Sequence, residues 1–196
     1  MSETVLPSEA ISPKQRILEV GFGTKPAFKH GGTLFSNSDL EYAGIEFLPG
    51  LCQFEGTLAA SIGHIPFKDN TFDYVMMRSV FGMFKDLPHY PPEPFDFEEV
   101  ADDGMRESFR VLKPGGQIAI LEENTPWNIR YVKAYLERVG FQIKDSEVMN
   151  NDWEKLGRRS KWKKLREPFF NTEPTMGFGS VYFDDPYIVI GEKPIA

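Results

Sequence analysis

A glycine-rich turn near the N-terminus is the part of the sequence best suited to bind a ligand. Residues 19–24 read EVGFGT and follow a short run of β-prone residues. Glycines in such a turn let a ligand approach the backbone, because no Cβ atom stands in the way. Glu46 ends the next predicted strand, where a carboxylate can accept hydrogen bonds from both hydroxyls of a ribose. The turn and the acid together predict a site for an adenosine-containing ligand.

Dinucleotides are disfavoured as that ligand. The third glycine of the G-x-G-x-x-G fingerprint is missing, because Pro26 occupies its position. Proline has no backbone N–H, so the start of the following helix lacks a donor where a pyrophosphate would bind. The structural alternative, a glycine turn beside an unrelated surface glutamate, stays open at this point.

Short β-rich runs alternate with helical patterns along the chain. Strands are predicted at residues 16–20, 41–47, 57–61, 72–77, 117–122, 141–148 and 187–191. Besides a helix that starts near Pro26, the spacing of apolar residues predicts two helices, one with Met105, Phe109 and Leu112 on one face and one with Ile129, Val132, Leu136 and Val139. The first of these two ends at the KPGG segment of residues 113–116 and the second at Gly140. This alternation implies a mostly parallel sheet that is covered on both faces.

The 196 residues suffice for one ordinary domain. We expect a polar N-terminal segment at residues 1–15 and a single domain at 16–196. Two insertions interrupt the rhythm, one at about 84–97 with four prolines and one at about 150–185. Enzymes with α/β folds place substrate-binding elements at the ends of their sheets, where both insertions should emerge.

Composition excludes several classes of function. The net charge of −7 argues against a globally basic nucleic-acid binder. Cys52 is the only cysteine, which rules out an intramolecular disulfide or a cysteine-based zinc cage, and no metal site is predicted. The polar N-terminus resembles neither a signal nor a transit peptide, and no apolar run reaches the ~20 residues of a membrane span. These features predict a cytoplasmic protein without integral membrane association.

Three ordered blocks resemble the class I S-adenosylmethionine-dependent methyltransferases, in particular the small type 11 branch. They read ILEVGFGT at residues 17–24, IPFKDNTFDYV at 65–75 and FRVLKPGG at 109–116. The similarity runs in order along nearly the whole chain. The resemblance implies a Rossmann-like, doubly wound seven-stranded mixed sheet with helices on both faces. In this family the last strand is antiparallel and lies between the fifth and the sixth.

The resemblance also implies S-adenosyl-L-methionine as the cofactor and a role for each matching position. By this resemblance, Gly21, Gly23 and Thr24 contact the methionine part of the cofactor, and Glu19 orients their turn. Glu46 binds the ribose, and Ser61 and Ile62 flank the adenine. Met77 and Arg78 lie beside the sulfonium and its methyl group.

Two departures from the family pattern bear on cofactor affinity. Lys25 stands where relatives often have another glycine, and Ser61 stands where they usually have an acid that contacts the adenine amino group. A hydroxyl accepts one hydrogen bond but gives up a charge-assisted one, which is worth ~1 kcal/mol more. We therefore expect weaker cofactor binding than in typical relatives.

The acceptor of the methyl group and its catalytic residues are not defined by the sequence. Small-molecule relatives often carry a histidine just after the fourth strand, and this chain has Gly82 and Met83 there. The remaining candidates are His64, His89 with Tyr90, and the acids Glu122 and Glu123 at the end of the fifth strand, although surface or structural roles suit them as well.

Three functions remain open. The first is methyl transfer to a small or medium-sized acceptor. The second is modification of RNA or protein, suggested by the basic segment Lys155 to Arg166, which together with Trp153 and Trp162 could bind an anionic partner or could be a solvated helix. The third is a non-catalytic family member that binds a nucleotide, suggested by the two departures and the missing histidine. The oligomeric state is not predicted.

Overall fold

The computed structural model describes residues 15–21, 40–78, 80, 97–122, 129–148 and 187–195. The strands of this part are β1 (Gln15–Val20), β2 (Leu40–Glu46), β3 (Thr57–Ala59), β4 (Phe72–Arg78), β5 (Leu112–Glu122), β6 (Gln142–Val148) and β7 (Tyr187–Glu192). Its helices are α1 (Phe97–Val111), α2 (Ile129–Val139) and a short 3-10 helix (Pro49–Leu51).

The strands form one seven-stranded sheet in the order β3-β2-β1-β4-β5-β7-β6. Strands β1 to β5 pair in parallel, and β7 pairs antiparallel with both β5 and β6. The predicted mixed sheet with an inserted antiparallel last strand is therefore confirmed. The strand order reverses between β1 and β4, and ligands of such sheets bind outside the carboxyl ends of the strands at this switch point.

Both faces of the sheet are buried. One face carries a row formed by Val20, Met77, Ile120 and Val189, which belong to the same buried cluster as residues of α1 and α2. On the other face the buried side chains include Ile17, Met76, Ala119, Leu121, Ile188 and Ile190. Burial on both sides explains why these strands read as continuous apolar runs. The helix predicted to start near Pro26 lies outside the described residues.

The predicted boundaries agree with the structure within two residues, except around the KPGG segment. The prediction that Leu112 belongs to a helix is wrong, because α1 ends at Val111 and Leu112 pairs with Phe72 as the first residue of β5. Turn-like residues are tolerated inside β5 because the chain after β7 pairs with them. The amide of Gly115 donates to the Lys193 carbonyl at 2.8 Å, and the amide of Lys193 donates to the Gly116 carbonyl at 2.9 Å.

Two of the three family-like blocks, residues 65–75 and 109–116, contact each other at the amino end of the sheet. Backbone hydrogen bonds run from Asn70 to Arg110 and from Thr71 to Val111. The Arg110 guanidinium also binds the Asp69 carboxylate and the carbonyls of residues 65 and 67. These blocks therefore join α1 to the starts of β4 and β5, at the end of the sheet opposite the predicted ligand site.

Glu107 supports this junction, and its contribution should depend on pH. Its carboxylate accepts hydrogen bonds from Arg110 at 2.7 and 2.8 Å and from the Ile65 amide at 2.8 Å. The hydrogen bond from Arg110 is the main reason why the pKa of Glu107 lies below its ordinary value of 4.5. Because the folded-state pKa is the lower one, the stabilisation is complete above the unfolded-state pKa and disappears as the pH falls through the folded-state pKa.

We therefore expect Glu107→Gln to lower the free energy of unfolding at pH 7 by about 1–3 kcal/mol. The difference from the parent should shrink as the pH falls below 4.5 and through the lowered folded-state pKa of Glu107, because the parent carboxylate then becomes protonated. Urea denaturation at a series of pH values measures both effects. The exposed Glu137, changed to glutamine, is the matched control and should leave the curve unchanged. A deficit of the same size at pH 3 and pH 7 would contradict the prediction.

Several predictions concern segments that the structure does not describe. The N-terminal segment 1–15 and the insertions 84–97 and 150–185 lie outside the described residues, apart from Gln15 and Phe97. Neither α1 nor α2, the α-helices of the described part, is long and apolar enough to cross a membrane.

Candidate functional site

The carboxyl edge of the sheet brings three of the predicted site residues into one row. Val20 pairs with Ile45 on one side and with Met77 on the other. The residues that follow, Gly21, Glu46 and Arg78, therefore lie side by side, roughly 5 Å apart from strand to strand. The Gly21 amide donates to the Ile45 carbonyl at 2.9 Å and extends the ladder of β1 and β2 by one bond.

Gly21 has a backbone conformation that favours glycine. Its φ is +69°, in the left-handed region. A Cβ atom on Gly21 would lie 2.7 Å from Cγ2 of Val80, so the space is already filled by the segment that follows β4. The glycine is required by this internal contact as well as by its backbone angle. Gly23 and Thr24, predicted to continue the turn, lie outside the described residues.

Glu46 has a carboxylate whose orientation is set by the backbone amides of the two residues that follow it. The residue is 8% exposed. Its Oε1 accepts hydrogen bonds from the amides of Phe47 at 2.9 Å and Leu48 at 3.4 Å. The Glu46 carbonyl accepts a bond from the Ala60 amide at 3.0 Å, which ties the strand end to the segment after β3. The two amide hydrogen bonds therefore fix the orientation of the carboxylate.

Exposed apolar side chains follow Glu46 directly. Phe47 is 48% exposed and Leu48 is 40% exposed, and both come directly after the end of β2. Our sequence reasoning missed these two residues, although a pair of apolar residues just after a strand-end acid was a visible signal. They give the edge a surface on which a flat apolar group can pack.

Ser61 and Ile62, predicted to flank an adenine, differ in their surroundings. Ser61 is exposed, and its hydroxyl oxygen accepts a hydrogen bond from the Gly63 amide at 3.2 Å. Ile62 is 7% exposed and packs against α1, where a Cβ on Gly104 would lie 2.6 Å from its Cγ1. Ile62 thus anchors the loop to α1, and Ser61 is the member of the pair at the surface.

This close contact makes Gly104 a sensitive position for the loop. Alanine is a better helix former than glycine by about 1 kcal/mol, so Gly104→Ala should favour α1 itself. The added methyl group would collide with Ile62 and displace the loop that carries Ser61. We expect a several-fold loss of affinity for S-adenosylhomocysteine, measured by calorimetry, while circular dichroism shows intact helix. Unchanged affinity would mean that this loop does not contact the ligand.

Of the other predicted cofactor residues, Met77 and Glu19 precede the row on their strands, and Arg78 is part of it. Met77 is fully buried, and its side chain packs in the core cluster. Glu19 is also fully buried and accepts a hydrogen bond from the Tyr42 hydroxyl at 3.2 Å, two residues before Gly21. For Arg78 the backbone is described and the side chain is not.

Beyond β4, the carboxyl edge of the sheet carries the acidic residue Glu122. Glu122, the last residue of β5, is fully buried and accepts a hydrogen bond from the Val80 amide at 2.9 Å. Tyr187, the first residue of β7, pairs with Glu122. The contribution of Tyr187 and Val80 was missed, because only the pairing of distant strands brings these residues together.

The structure adds no functional contact for the other candidate residues that it describes. His64 is exposed after the loop of Ser61. Within the described ranges, no group of histidine, cysteine and acidic residues could hold a metal ion. Outside those ranges lie Lys25, Gly82, Met83, His89, Tyr90, Glu123 and the basic segment with its two tryptophans.

Comparisons with known sequences match this architecture. The methyltransferase domain family matches residues 18–120. A demethylmenaquinone methyltransferase from Listeria monocytogenes is 28% identical over 123 residues, which cover 63% of this chain and 40% of that protein. The chain thus spans less than half the length of the curated relatives that it matches.

Solved structures share the fold at low sequence identity. The [4+2]-cyclase SpnF has a TM-score of 0.61 at 16% identity, covering 95% of this chain and 77% of that one. Phosphoethanolamine N-methyltransferase 2 of Haemonchus contortus, solved with S-adenosyl-L-methionine, has a TM-score of 0.59 at 15% identity, covering 95% of this chain and 50% of that one. With more than half of its length matched by the family and with this sheet order, the chain belongs to the type 11 branch of the class I S-adenosylmethionine-dependent methyltransferase family.

Proposed function

We propose that this chain binds S-adenosyl-L-methionine and transfers its methyl group to a small or medium-sized acceptor. The row formed by Gly21 and Glu46 at the switch point carries the proposal. A left-handed glycine turn and an oriented, nearly buried carboxylate stand there on neighbouring strands. This combination suits a nucleoside whose ribose diol and adjoining chain are bound together.

The described residues fit this cofactor. Glu46 would accept hydrogen bonds from the ribose, and the exposed faces of Phe47 and Leu48 would pack against the adenine. Burial of that apolar area would contribute ~25 cal/mol per Å² to binding. Gly21, with Gly23 and Thr24, would hold the methionine part. Ser61 offers the adenine a neutral partner only, so we keep the expectation of weaker binding than in relatives with an acid there.

The chemistry of transfer asks mainly for position. Bound S-adenosylmethionine supplies a methyl group on a positively charged sulfur, ready for in-line displacement. The protein must hold the acceptor atom in line with that methyl group and keep water out. Since β4 lies beside β1 on one side and β5 on the other, we place the acceptor over the ends of β4, β5 and β7. A base is needed only for an acceptor atom that must lose a proton first.

The acceptor side of the edge favours an apolar molecule. Met77, Ile120 and Val189, which lie beneath the edge there, are buried and apolar. The demethylmenaquinone methyltransferases among the relatives are named for a small molecule. These two observations support a small acceptor over a polymer, and the basic segment 155–166 supports the RNA or protein alternative.

Binding and turnover test the proposal separately. Calorimetry with S-adenosylhomocysteine should show saturable binding to the purified protein. Cofactor labelled in its methyl group should then yield labelled product when incubated with a small-molecule cell extract. No heat at millimolar ligand would overturn the proposal. Nuclease and protease treatment of a whole extract distinguishes the acceptors, because only a polymer acceptor would be lost.

A second candidate is a member of the family that binds the cofactor without methyl transfer. The neutral Ser61 favours it, and a [4+2]-cyclase shares the fold. Saturable binding of S-adenosylhomocysteine without any labelled product would support this candidate over the first.

A further inference from the structure

Tyr187 lies at the edge where the acceptor is proposed to bind. Because β7 is antiparallel, its first residue stands at the carboxyl edge of the parallel strands. The order β4-β5-β7 puts Tyr187 two strands from the end of β4, which is roughly 10 Å. Its register places it on the same face as Val189, and it belongs to the buried cluster with Met77 and Ile120.

Among the described residues the Tyr187 hydroxyl has no hydrogen-bond partner, although the tyrosine is only 4% exposed. An unsatisfied buried hydroxyl destabilises the fold, whereas phenylalanine would fill nearly the same space without that cost. Buried polar groups of native proteins are almost always satisfied, so an exception calls for an explanation. A ligand that supplies the missing partner is such an explanation.

Glu122 determines which partner is suitable. It is directly opposite Tyr187 in the sheet, and side chains of such a pair are close neighbours. Burial, and after it the negative charge of Glu122, raises the pKa of Tyr187 well above its ordinary value of 10. The hydroxyl therefore keeps its proton and acts as a donor. The same negative charge disfavours an anionic ligand, which leaves an uncharged oxygen as the matching group.

We infer that Tyr187 binds the methyl acceptor, its hydroxyl donating a hydrogen bond to an uncharged hydroxyl or carbonyl oxygen of an apolar molecule. This inference rests on the proposed function, because it gives the acceptor a place at the same edge as the cofactor. Tyr187 is then a specificity-determining residue. The separation of roughly 10 Å from β4 suits an acceptor with a ring system between the bound oxygen and the methylated atom.

The test compares two aromatic probes that differ in one group, 1-naphthol and 1-methylnaphthalene. Each is titrated into the parent protein, Tyr187→Phe and Tyr74→Phe, with and without saturating S-adenosylhomocysteine, and dissociation constants are read by ligand-observed NMR. Tyr74→Phe is the matched control, since its hydroxyl accepts a hydrogen bond from Gln15 at the amino end of the sheet. The parent and Tyr74→Phe should prefer 1-naphthol by roughly 3- to 10-fold, as expected for one neutral hydrogen bond.

Tyr187→Phe should lose the preference for 1-naphthol and should bind 1-methylnaphthalene at least as tightly, because the hydroxyl of 1-naphthol would then be buried without a partner. The variant should also be at least as thermally stable as the parent, because it loses an unsatisfied hydroxyl. A merely structural tyrosine would instead lower the melting temperature. The inference is overturned if Tyr187→Phe retains the preference for 1-naphthol, or if the parent shows none or binds neither probe. Calorimetry with S-adenosylhomocysteine distinguishes failure of this inference from failure of the proposed function. If the parent protein does not bind S-adenosylhomocysteine, the proposed function is overturned, whereas the preference between the two probes is measured independently.

Discussion

Replacing Gly21 by alanine is expected to abolish measurable binding of S-adenosylhomocysteine at concentrations that saturate the parent protein. A φ of +69° costs an L-residue about 1–2 kcal/mol. The new Cβ would also lie 2.7 Å from Val80 Cγ2, and Val80 cannot easily yield. Its side chain is β-branched and buried, and its amide is bound to Glu122 at 2.9 Å. The turn itself must therefore move, which displaces the backbone proposed to hold the methionine part.

Two glycine controls separate loss of the site from loss of the fold. Gly115 also has a positive φ, +77°, but lies at the amino end of the sheet, so Gly115→Ala should lower the melting temperature without changing ligand affinity. A Cβ on Gly50 would meet no atom of the described residues within 4 Å, so Gly50→Ala should be tolerated in both assays. If Gly21→Ala bound the ligand as tightly as Gly50→Ala, the turn would not be part of a cofactor site.

The sheet was predictable because its strands carry local signals. Buried parallel strands read as short apolar runs, and glycine marks where an element ends, as at Gly21 after β1 and Gly140 after α2. The pairing order is not written in any one strand, and the expectation for it came from the resemblance to a family. The misplaced Leu112 shows the limit of local signals, since its strand pairing depends on Phe72, 40 residues earlier.

The blocks that carried the family resemblance do not all belong to the site. Residues 65–75 and 109–116 meet at the amino end, where Lys113 binds Asp73 and Gly116 approaches the Asp73 carbonyl too closely for any Cβ. Their spacing is fixed by the junction of α1, β4 and β5. Only the first block, around Gly21, reaches the carboxyl edge. A strong sequence match therefore located the fold better than it located the chemistry.

The acceptor side could not be read from the sequence for a physical reason. Tyr187 and Glu122 are 65 residues apart, and neither sits in a recognisable motif. They become neighbours only because β7 is inserted antiparallel beside β5. The tyrosine hydroxyl is buried in the fold and has no hydrogen-bond partner in the described part of the chain, which no local sequence signal indicates. The ribose side was easier, because a carboxylate at the end of the second strand follows from strand spacing alone, as Glu46 does.

Glu46→Gln should weaken the binding of S-adenosylhomocysteine by roughly 10- to 150-fold, the equivalent of about 1.5–3 kcal/mol for a hydrogen bond to a charged group. Glutamine keeps one carbonyl oxygen for the Phe47 amide, so the strand end should hold its shape. The loss should then come from the ribose hydroxyls, which no longer meet two oxygens that share a negative charge. Calorimetry at fixed pH measures the change, with circular dichroism as the check on folding.

A second ligand makes this prediction specific to the sugar. The 2′-deoxy analogue of S-adenosylhomocysteine lacks one of the two hydroxyls, so Glu46→Gln should cost it much less affinity than it costs the parent ligand. Glu41→Gln, at the exposed start of the same strand and paired with Arg16, should change neither affinity. An equal loss for both ligands would mean that Glu46 acts on the turn of Phe47 and Leu48 and not on the ribose. In the row formed by Gly21, Glu46 and Arg78, Glu46 is the only acid. An equal loss would therefore leave the ribose diol without an acidic partner in this row, and the proposal that the edge binds an adenosyl group would be wrong.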